Sequence, residues 1–340
     1  MRLCLVGEFS GTLDEGMRKV TDYLSKELSK NHETLLLDVR NTFSVDFWSG
    51  IKRFRPEIIH YIHGPSIFSF VIAQAIKSRY HDAKVVMSAM HPGFYGFRGL
   101  TYGPSYAVSS LLKSAVHLLK PDLILTQSQA TERMFNNIGC RTCFLPIGVD
   151  TTKFSPVSQF TKKRLREENG IDQEKFIILH IGTVGRGRNI RILKKLNGCG
   201  NQVLIVGRTP TRVERRLHQD LLDNGCIVWA RYFPRIEEIY ALSDCYIFPT
   251  VNPIASIESP LSVLEAMSCN LKVVTTRFGA LPRIFQEDEG LVFADQDDDM
   301  VSRIQEVKNA GKVNNREKVL PYSWENTIKK LEDIYKQLLQ

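Results

Sequence analysis

Short apolar runs alternate with helix-patterned segments twice along this chain, and that order admits few folds. The first series of runs falls at residues 2–6, 35–39, 58–62, 85–88 and 123–126. Helical spacing is legible between them at 67–79, 106–119 and 130–138, and Met17, Val20, Tyr23, Leu24 and Leu28 mark a helix soon after the first run. The segment 146–156 (PIGVDTTKFSP) reads as a linker. A second series then follows at 176–181, 203–207, 227–229, 245–249 and 271–275. Strand and helix in strict alternation build a doubly wound parallel sheet, and such sheets gather ligands at the carboxyl ends of their strands. A chain of 340 residues is long enough for two domains of this kind, each with its own core.

Composition narrows the classes further. Apolar residues at 43% and charged residues at 24% are those of a soluble globular protein. No apolar run reaches ~18 residues, and Met1-Arg2-Leu3 leads straight into a strand, so neither a transmembrane helix nor a signal peptide is expected. Seven cysteines, odd in number and mostly inside apolar runs, suit a reducing compartment, and a cytoplasmic location is expected. Cys140 and Cys143 have no second pair and no histidine at zinc spacing, so they read as structural. The net charge of +8 is shared by both halves. Its densest cluster is Arg186, Arg188, Arg191, Lys194, Lys195, Arg208, Arg212, Arg215 and Arg216. No nucleic-acid motif and no interleaved aromatics accompany it, which excludes nucleic acid as the expected partner. A phosphate-binding mouth and a solvated helix face account for the excess. Asp295, Asp297, Asp298 and Asp299 precede an amphipathic helix, where acids favour the amino end, so no metal site is expected there.

The chemistry concentrates in residues 255–276, ASIESPLSVLEAMSCNLKVVTT. Ser259 is the expected helix cap and Pro260 the first helical residue. The helix runs from Leu261 to about Cys269, Asn270 ends it in the left-handed conformation, and 271–275 is a strand. Glu265 lies among Val263, Leu264, Ala266 and Met267, where a carboxylate is expensive unless something pairs with it. Glu258 stands just ahead of the helix. Open amides at 259–262 with two nearby carboxylates suit a phosphorylated, hydroxyl-rich ligand; a Glu paired inside the fold is the other reading. Other strand ends add candidates. The loop Gly7-Glu8-Phe9-Ser10-Gly11-Thr12 can bring its backbone, at Gly11, close to a ligand. His63 and His91 close two further strands. The long loop 93–104, with Phe94, Tyr95, Phe97 and Tyr102, is suited to stacking on a sugar, to lipid contact, or to packing of an irregular loop.

The string from Pro260 through Thr275 closely resembles the E-x7-E signature of the retaining, family-4-type glycosyltransferases, E-G-F-P-L-S-V-L-E-A-M-A-C-G-x-P-V-V. The first Glu of that signature falls at Ile257 in this chain, and Glu258 beside it makes the spacing E-x6-E. The linker is similar to the family's N-G-V-D-x-x-x-F-x-P hinge, with Ile147 in place of Asn. Residues 182–189 are similar to its G-R-L-x-x-x-K-G loop, with Thr183 at the Arg position, Arg188 at the Lys and Asn189 at the last Gly. Residues 279–285 resemble G-x-x-P-E-I-I, with Arg283 at the Glu. The likeness spans nearly the whole chain and is sharpest over 241–293.

This resemblance implies an α/β GT-B fold: two Rossmann-like, doubly wound parallel-sheet domains facing a central cleft. Residues 1–147 would form the acceptor-binding domain and 148–321 the nucleotide-sugar domain, with a helix over 322–340 packing back on the first. It implies transfer of a sugar from a nucleotide-diphosphate sugar to an acceptor hydroxyl, on a glycan, a lipid-linked saccharide or a small molecule. The anomeric configuration would be retained, with no cofactor beyond the donor and no metal. By the same resemblance Arg186, Arg188 and the helix start at Ser259, Pro260, Leu261 and Ser262 would hold the diphosphate. Glu265 would hold the ribose, Glu258 the sugar hydroxyls, and Arg231 would lie beside the base. His91 would steady the sugar as it becomes oxocarbenium-like. Two rival readings are a nucleotide-sugar epimerase of the same fold and a non-catalytic partner subunit, the latter motivated by Ile257, Thr183 and Arg283. The Leu- and Lys-rich pattern at 111–120 beside the aromatic loop adds an expected peripheral contact with the cytosolic membrane face.

Overall fold

The computed structural model describes residues 1–9, 16–62, 64–92, 119–207 and 214–340. Gly11, His63, the aromatic loop 93–104, the segment 111–118, Arg208 and Arg212 lie outside the described residues, as does the side chain of Arg186. The chain divides into two units. Unit 1 comprises Met1–Ile147, Ile257–Ser259 and Glu325–Gln340; unit 2 comprises Gly148–Ser256 and Pro260–Trp324.

Unit 1 is built on a parallel sheet of six strands: β1 (Arg2–Gly7), β2 (Glu33–Asp38), β3 (Ile58–Tyr61), β4 (Lys84–Ala89), β5 (Leu123–Thr126) and β6 (Thr142–Phe144). Their order is β2-β1-β3-β4-β5-β6, so the winding reverses between β1 and β3. Leu3, Cys4, Leu5 and Val6 are all fully buried, which is why this run reads as continuously apolar rather than alternating. The helices Val45–Phe54, Ile67–Arg79 and Gln129–Asn137 each start at a serine, Ser44, Ser66 and Ser128, whose hydroxyl accepts the amide three residues on. The first of these helices and strand β6 are not legible in the sequence pattern. The carboxyl-terminal part of the helix Trp324–Leu339 is tied into unit 1 by buried polar contacts. His60 Nδ1 meets Tyr335 Oη at 2.6 Å and His60 Nε2 meets Ser88 Oγ at 2.7 Å. Burial pushes His60 down to about 3, so this ring is a neutral linker between strand and helix.

Unit 2 is a second six-stranded parallel sheet: β7 (Phe176–Ile181), β8 (Asn201–Gly207), β9 (Ile227–Ala230), β10 (Cys245–Phe248), β11 (Lys272–Thr275) and β12 (Leu291–Phe293). The order β12-β11-β10-β7-β8-β9 is the Rossmann winding, with the reversal between β7 and β10. Alternate residues feed two apolar layers. Leu179, Leu204, Tyr246 and Phe248 go to one, and Ile178, Ile205, Cys245 and Ile247 to the other. Asp244, just before β10, accepts from Lys162, from Arg166 and from the amide of Ile177, which fixes where β10 enters the sheet. The helix Gln159–Glu168 supplies both cations, and it too escapes the sequence pattern. After β7 the chain makes two 3-10 turns, Arg186–Arg188 and Ile190–Leu196, rather than an α-helix. The Asp-rich run opens the helix Asp297–Asn309. Asp299 accepts the amide of Asp295, Asp297 accepts from Asn189, and Asp298 pairs with Lys195. Among the described residues no cluster of three or more His, Cys, Asp or Glu stands at metal-binding spacing, and all seven cysteines are free thiols.

Candidate active site

Strands β7 and β10 pair over only two residues, Ile178 with Cys245 and Leu179 with Tyr246, and then diverge. The carboxyl ends of both strands open into the gap this leaves. Two glycines shape it. A Cβ on Gly207 would meet the carbonyl oxygen of Gly182 at 2.2 Å, so only glycine lets the exits of β7 and β8 approach so closely. A Cβ on Gly182, at φ 154°, would meet Arg188 Nη1 at 2.7 Å. The guanidinium of Arg188 therefore lies directly against the Gly182 backbone. It is half-buried, and burial pulls its pKa down while the neighbouring Tyr246 phenol acts in the other direction. Among the described residues no carboxylate pairs with it. A cation placed there without a partner is organised for an anion that arrives from outside.

The helix Leu261–Ser268 begins beside the exit of β10. Its start differs from the sequence expectation. Pro260, not Ser259, stands at the cap position, and no side chain caps the helix. Ser259 donates its amide to Gln127 Oε1 at 3.1 Å, inside unit 1, and its buried hydroxyl caps no helix amide and has no partner among the described residues. Proline contributes no side-chain acceptor, so the amides of Leu261 and Ser262 find no acceptor among the described residues. Burial raises the pKa of the Tyr246 phenol while Ser262 and Arg188 oppose that rise, and the phenol donates to the carbonyl of Ile181 at 3.3 Å. Arg188 and Ser262, the latter at the uncapped helix start, thus both act on one buried phenol, Tyr246, near the reversal point of unit 2. One turn further in, Glu265 is 5% exposed, and Tyr240 Oη donates to its Oε2 at 2.6 Å. Asn270 ends the segment at φ 59°, in the left-handed conformation.

Glu258 takes a different position. The segment Ile257–Ser259 belongs to unit 1, although it directly precedes a unit 2 helix. Glu258 donates its amide to the carbonyl of Met90 at 2.8 Å, which brings it to the residue next to His91 at the end of β4. Its carboxylate Oε1 accepts from Ser128 Oγ at 2.7 Å and Thr131 Oγ1 at 2.6 Å, while Oε2 is buried without a partner among the described residues. Burial raises its pKa, and the two hydroxyls oppose that rise. The backbone of Glu258 thus joins the end of β4 at Met90, the chain neighbour of His91, 167 positions before it in sequence. Arg231 is exposed in the loop after β9, its guanidinium 4.6 Å over the ring of Phe233. The backbone of Arg186 shares the 3-10 turn of Arg188. Gly11 is outside the described residues.

Comparison with known proteins bears on this arrangement. Residues 188–309 match the family described as glycosyl transferases group 1. That span runs from Arg188 through the Glu265 helix. The chain has the GT-B fold, and the matched part of it is similar to the group 1 glycosyl transferases. Sulfoquinovosyl transferase of Arabidopsis thaliana is 26% identical over 254 residues, covering 71% of this chain and 46% of that protein. A phosphatidylinositol N-acetylglucosaminyltransferase component from the same organism is 24% identical over 308 residues, covering 84% and 64%. The chain therefore spans about half to two thirds of the length of these relatives. Among solved structures, Anabaena HepE in complex with UDP and glucose superposes with a TM-score of 0.73 at 14% identity, over 98% of this chain and 99% of that one. Sucrose-phosphate synthase of Thermosynechococcus elongatus gives 0.75 at 14%, over 99% and 98%.

Two neighbours of the candidate site have no sequence signal of their own. Tyr240 lies 25 positions before the Glu265 it bonds, in a short helix that reads only as apolar packing. His180 sits inside the apolar run of β7 and reads as a core residue. Neither is picked out by spacing or by residue type.

Proposed function

We propose that this chain transfers a sugar from a nucleotide-diphosphate sugar to an acceptor hydroxyl with retention of configuration. Arg188, with no carboxylate partner among the described residues, and Ser262 at the uncapped helix start both act on Tyr246, and this pairing carries the reading. Both supply positive potential to one place, and departure of a diphosphate is the step that needs it. Arg188 offers a fork of N–H donors to the leaving phosphates, and the amides of Leu261 and Ser262 offer two more. Glu265, already steadied by Tyr240, would accept from the ribose hydroxyls. Glu258 and His91 would serve the sugar being transferred, through the bare Oε2 of the carboxylate and the imidazole. With phosphate oxygen taking the acceptor proton, a front-side attack asks no further base of the protein.

UDP is the first nucleotide to test, because HepE is similar in fold and is described with UDP and with UDP-glucose. A lipid acceptor is the first acceptor to test, because one relative is named for phosphatidylinositol. Release of nucleoside diphosphate by purified protein, across a panel of nucleotide sugars with lipid and saccharide acceptors, tests the reading. No turnover with any of them, together with clear donor binding, would favour a non-catalytic partner subunit. Turnover is expected to persist in EDTA, since arginine and helix amides meet the charge of the leaving group. Loss on chelation, restored by manganese or magnesium, would contradict that. We also propose a peripheral contact with the cytosolic membrane face, on the basic excess of the chain. Sedimentation with anionic but not neutral vesicles, weakened by salt, is the result that supports it. No described helix is long and apolar enough to cross a membrane.

A further inference from the structure

His180 is fully buried at the point where β7 and β10 part. The ladder between these strands stops at Leu179 and Tyr246, and one residue further on the imidazole takes over its work. His180 Nδ1 meets the carbonyl oxygen of Ile247 at 3.0 Å. A carbonyl only accepts, so Nδ1 carries the proton and Nε2 carries a lone pair. That Nε2 is buried with no hydrogen-bond partner among the described residues. It is also not remote from charge. The position a Cβ would occupy on Gly182 lies 3.5 Å from His180 Nε2 and 2.7 Å from Arg188 Nη1, so both nitrogens border the same small volume. An unsatisfied acceptor in so apolar a strand costs free energy, and the donor that borders it is the arginine.

We propose that His180 is a positioning residue for the diphosphate site, its Nε2 accepting one N–H of Arg188 so that the remaining donors of the guanidinium face the phosphates. The inference rests on the reading of Arg188 as the diphosphate clamp. The imidazole does two things at once: Nδ1–H staples the diverging strands, and Nε2 sets the angle of the guanidinium laid over Gly182. Burial, aided by the arginine charge, pushes the ring down to about 4, so it stays a neutral acceptor at physiological pH. A second cation beneath Arg188 would instead repel it.

Two substitutions separate the two nitrogens. His180→Asn keeps an N–H close to the position of Nδ1 and removes Nε2; His180→Gln carries its amide oxygen out toward the position of Nε2. Binding of UDP, inorganic pyrophosphate and uridine is measured by calorimetry, with a melting curve for each variant. For His180→Asn the expected result is about a tenfold weaker affinity for UDP and for pyrophosphate, with uridine unchanged. His180→Gln should recover most of the loss. Equal weakening of UDP and uridine would mean a general structural role and would overturn the proposal. So would unchanged UDP affinity in His180→Asn, or a loss in His180→Gln as large as in His180→Asn. Should the unsubstituted protein bind neither UDP nor pyrophosphate, the clamp reading itself fails and this inference falls with it. That pattern is distinct from a binding-competent protein indifferent to residue 180.

Discussion

Arg188→Ala is expected to lower turnover by about 10²–10³-fold while leaving the unliganded protein as stable as before, or more so. The first half follows from the leaving group. Removing one well-placed donor from a developing oxyanion costs about 2.7–4 kcal/mol of transition-state stabilisation. The second half follows from the empty site. A half-buried guanidinium with no carboxylate beside it among the described residues has given up water without gaining a counter-charge. Truncating it removes that cost when no anion is bound. The two effects should cross when donor is added. Saturating UDP at 100 times its Kd stabilises a binding protein by about 2.7 kcal/mol, and the variant should show far less. Arg188→Lys should recover part of the rate, because a point charge remains but the planar fork is lost. Initial rates and melting curves with and without UDP check all of this. A variant that keeps its rate, or that melts well below the parent without ligand, would make Arg188 a structural cation.

How much of the fold is legible in the sequence depends on whether the signal is local. Buried parallel strands announce themselves as apolar runs, and Asn270 announces a left-handed helix end, so both sheets are readable in outline. The helix Gln159–Glu168 is not. Only Leu165 and Arg166 are buried along it, which leaves no periodic apolar face. The segment after β7 misleads in another way. Ile190, Ile192, Leu193 and Leu196 all bury, but in a 3-10 arrangement whose spacing matches neither helix nor strand well.

At the site, residues far off in sequence decide which contacts form. Ser259 is a good cap by type, yet Gln127 claims its amide and Pro260 takes the cap position. Glu258 is drawn to Ser128 and Thr131, hydroxyls 130 and 127 positions away. A short sequence motif can show which residue types gather. It cannot show which of them a distant strand end will recruit.

Glu265→Gln tests the remaining pillar of the site, and the structure sharpens the test. Tyr240 Oη donates to Glu265 Oε2 at 2.6 Å, and its phenol is held well above the ordinary range by burial and by the carboxylate. Tyrosine therefore stays a donor. Glutamine keeps a carbonyl oxygen that can accept from it, so the variant should fold and melt close to the parent. What glutamine lacks is the charge that strengthens bonds from ribose hydroxyls. A hydrogen bond to a charged group is worth about 1.5–3 kcal/mol, so losing one or two predicts a drop in UDP affinity of roughly ten- to several-hundred-fold. Tyr240→Phe should divide its effects the other way. It strips a buried carboxylate of a donor, which costs about 1–3 kcal/mol of stability, and it weakens UDP only through looser positioning of Glu265. Titration of UDP into both variants, beside their melting curves, distinguishes the roles. If Glu265→Gln melts early and binds UDP normally, the carboxylate exists to satisfy Tyr240 and the ribose is held elsewhere. If it melts normally and binds poorly, the tyrosine is the support and the ribose is the purpose.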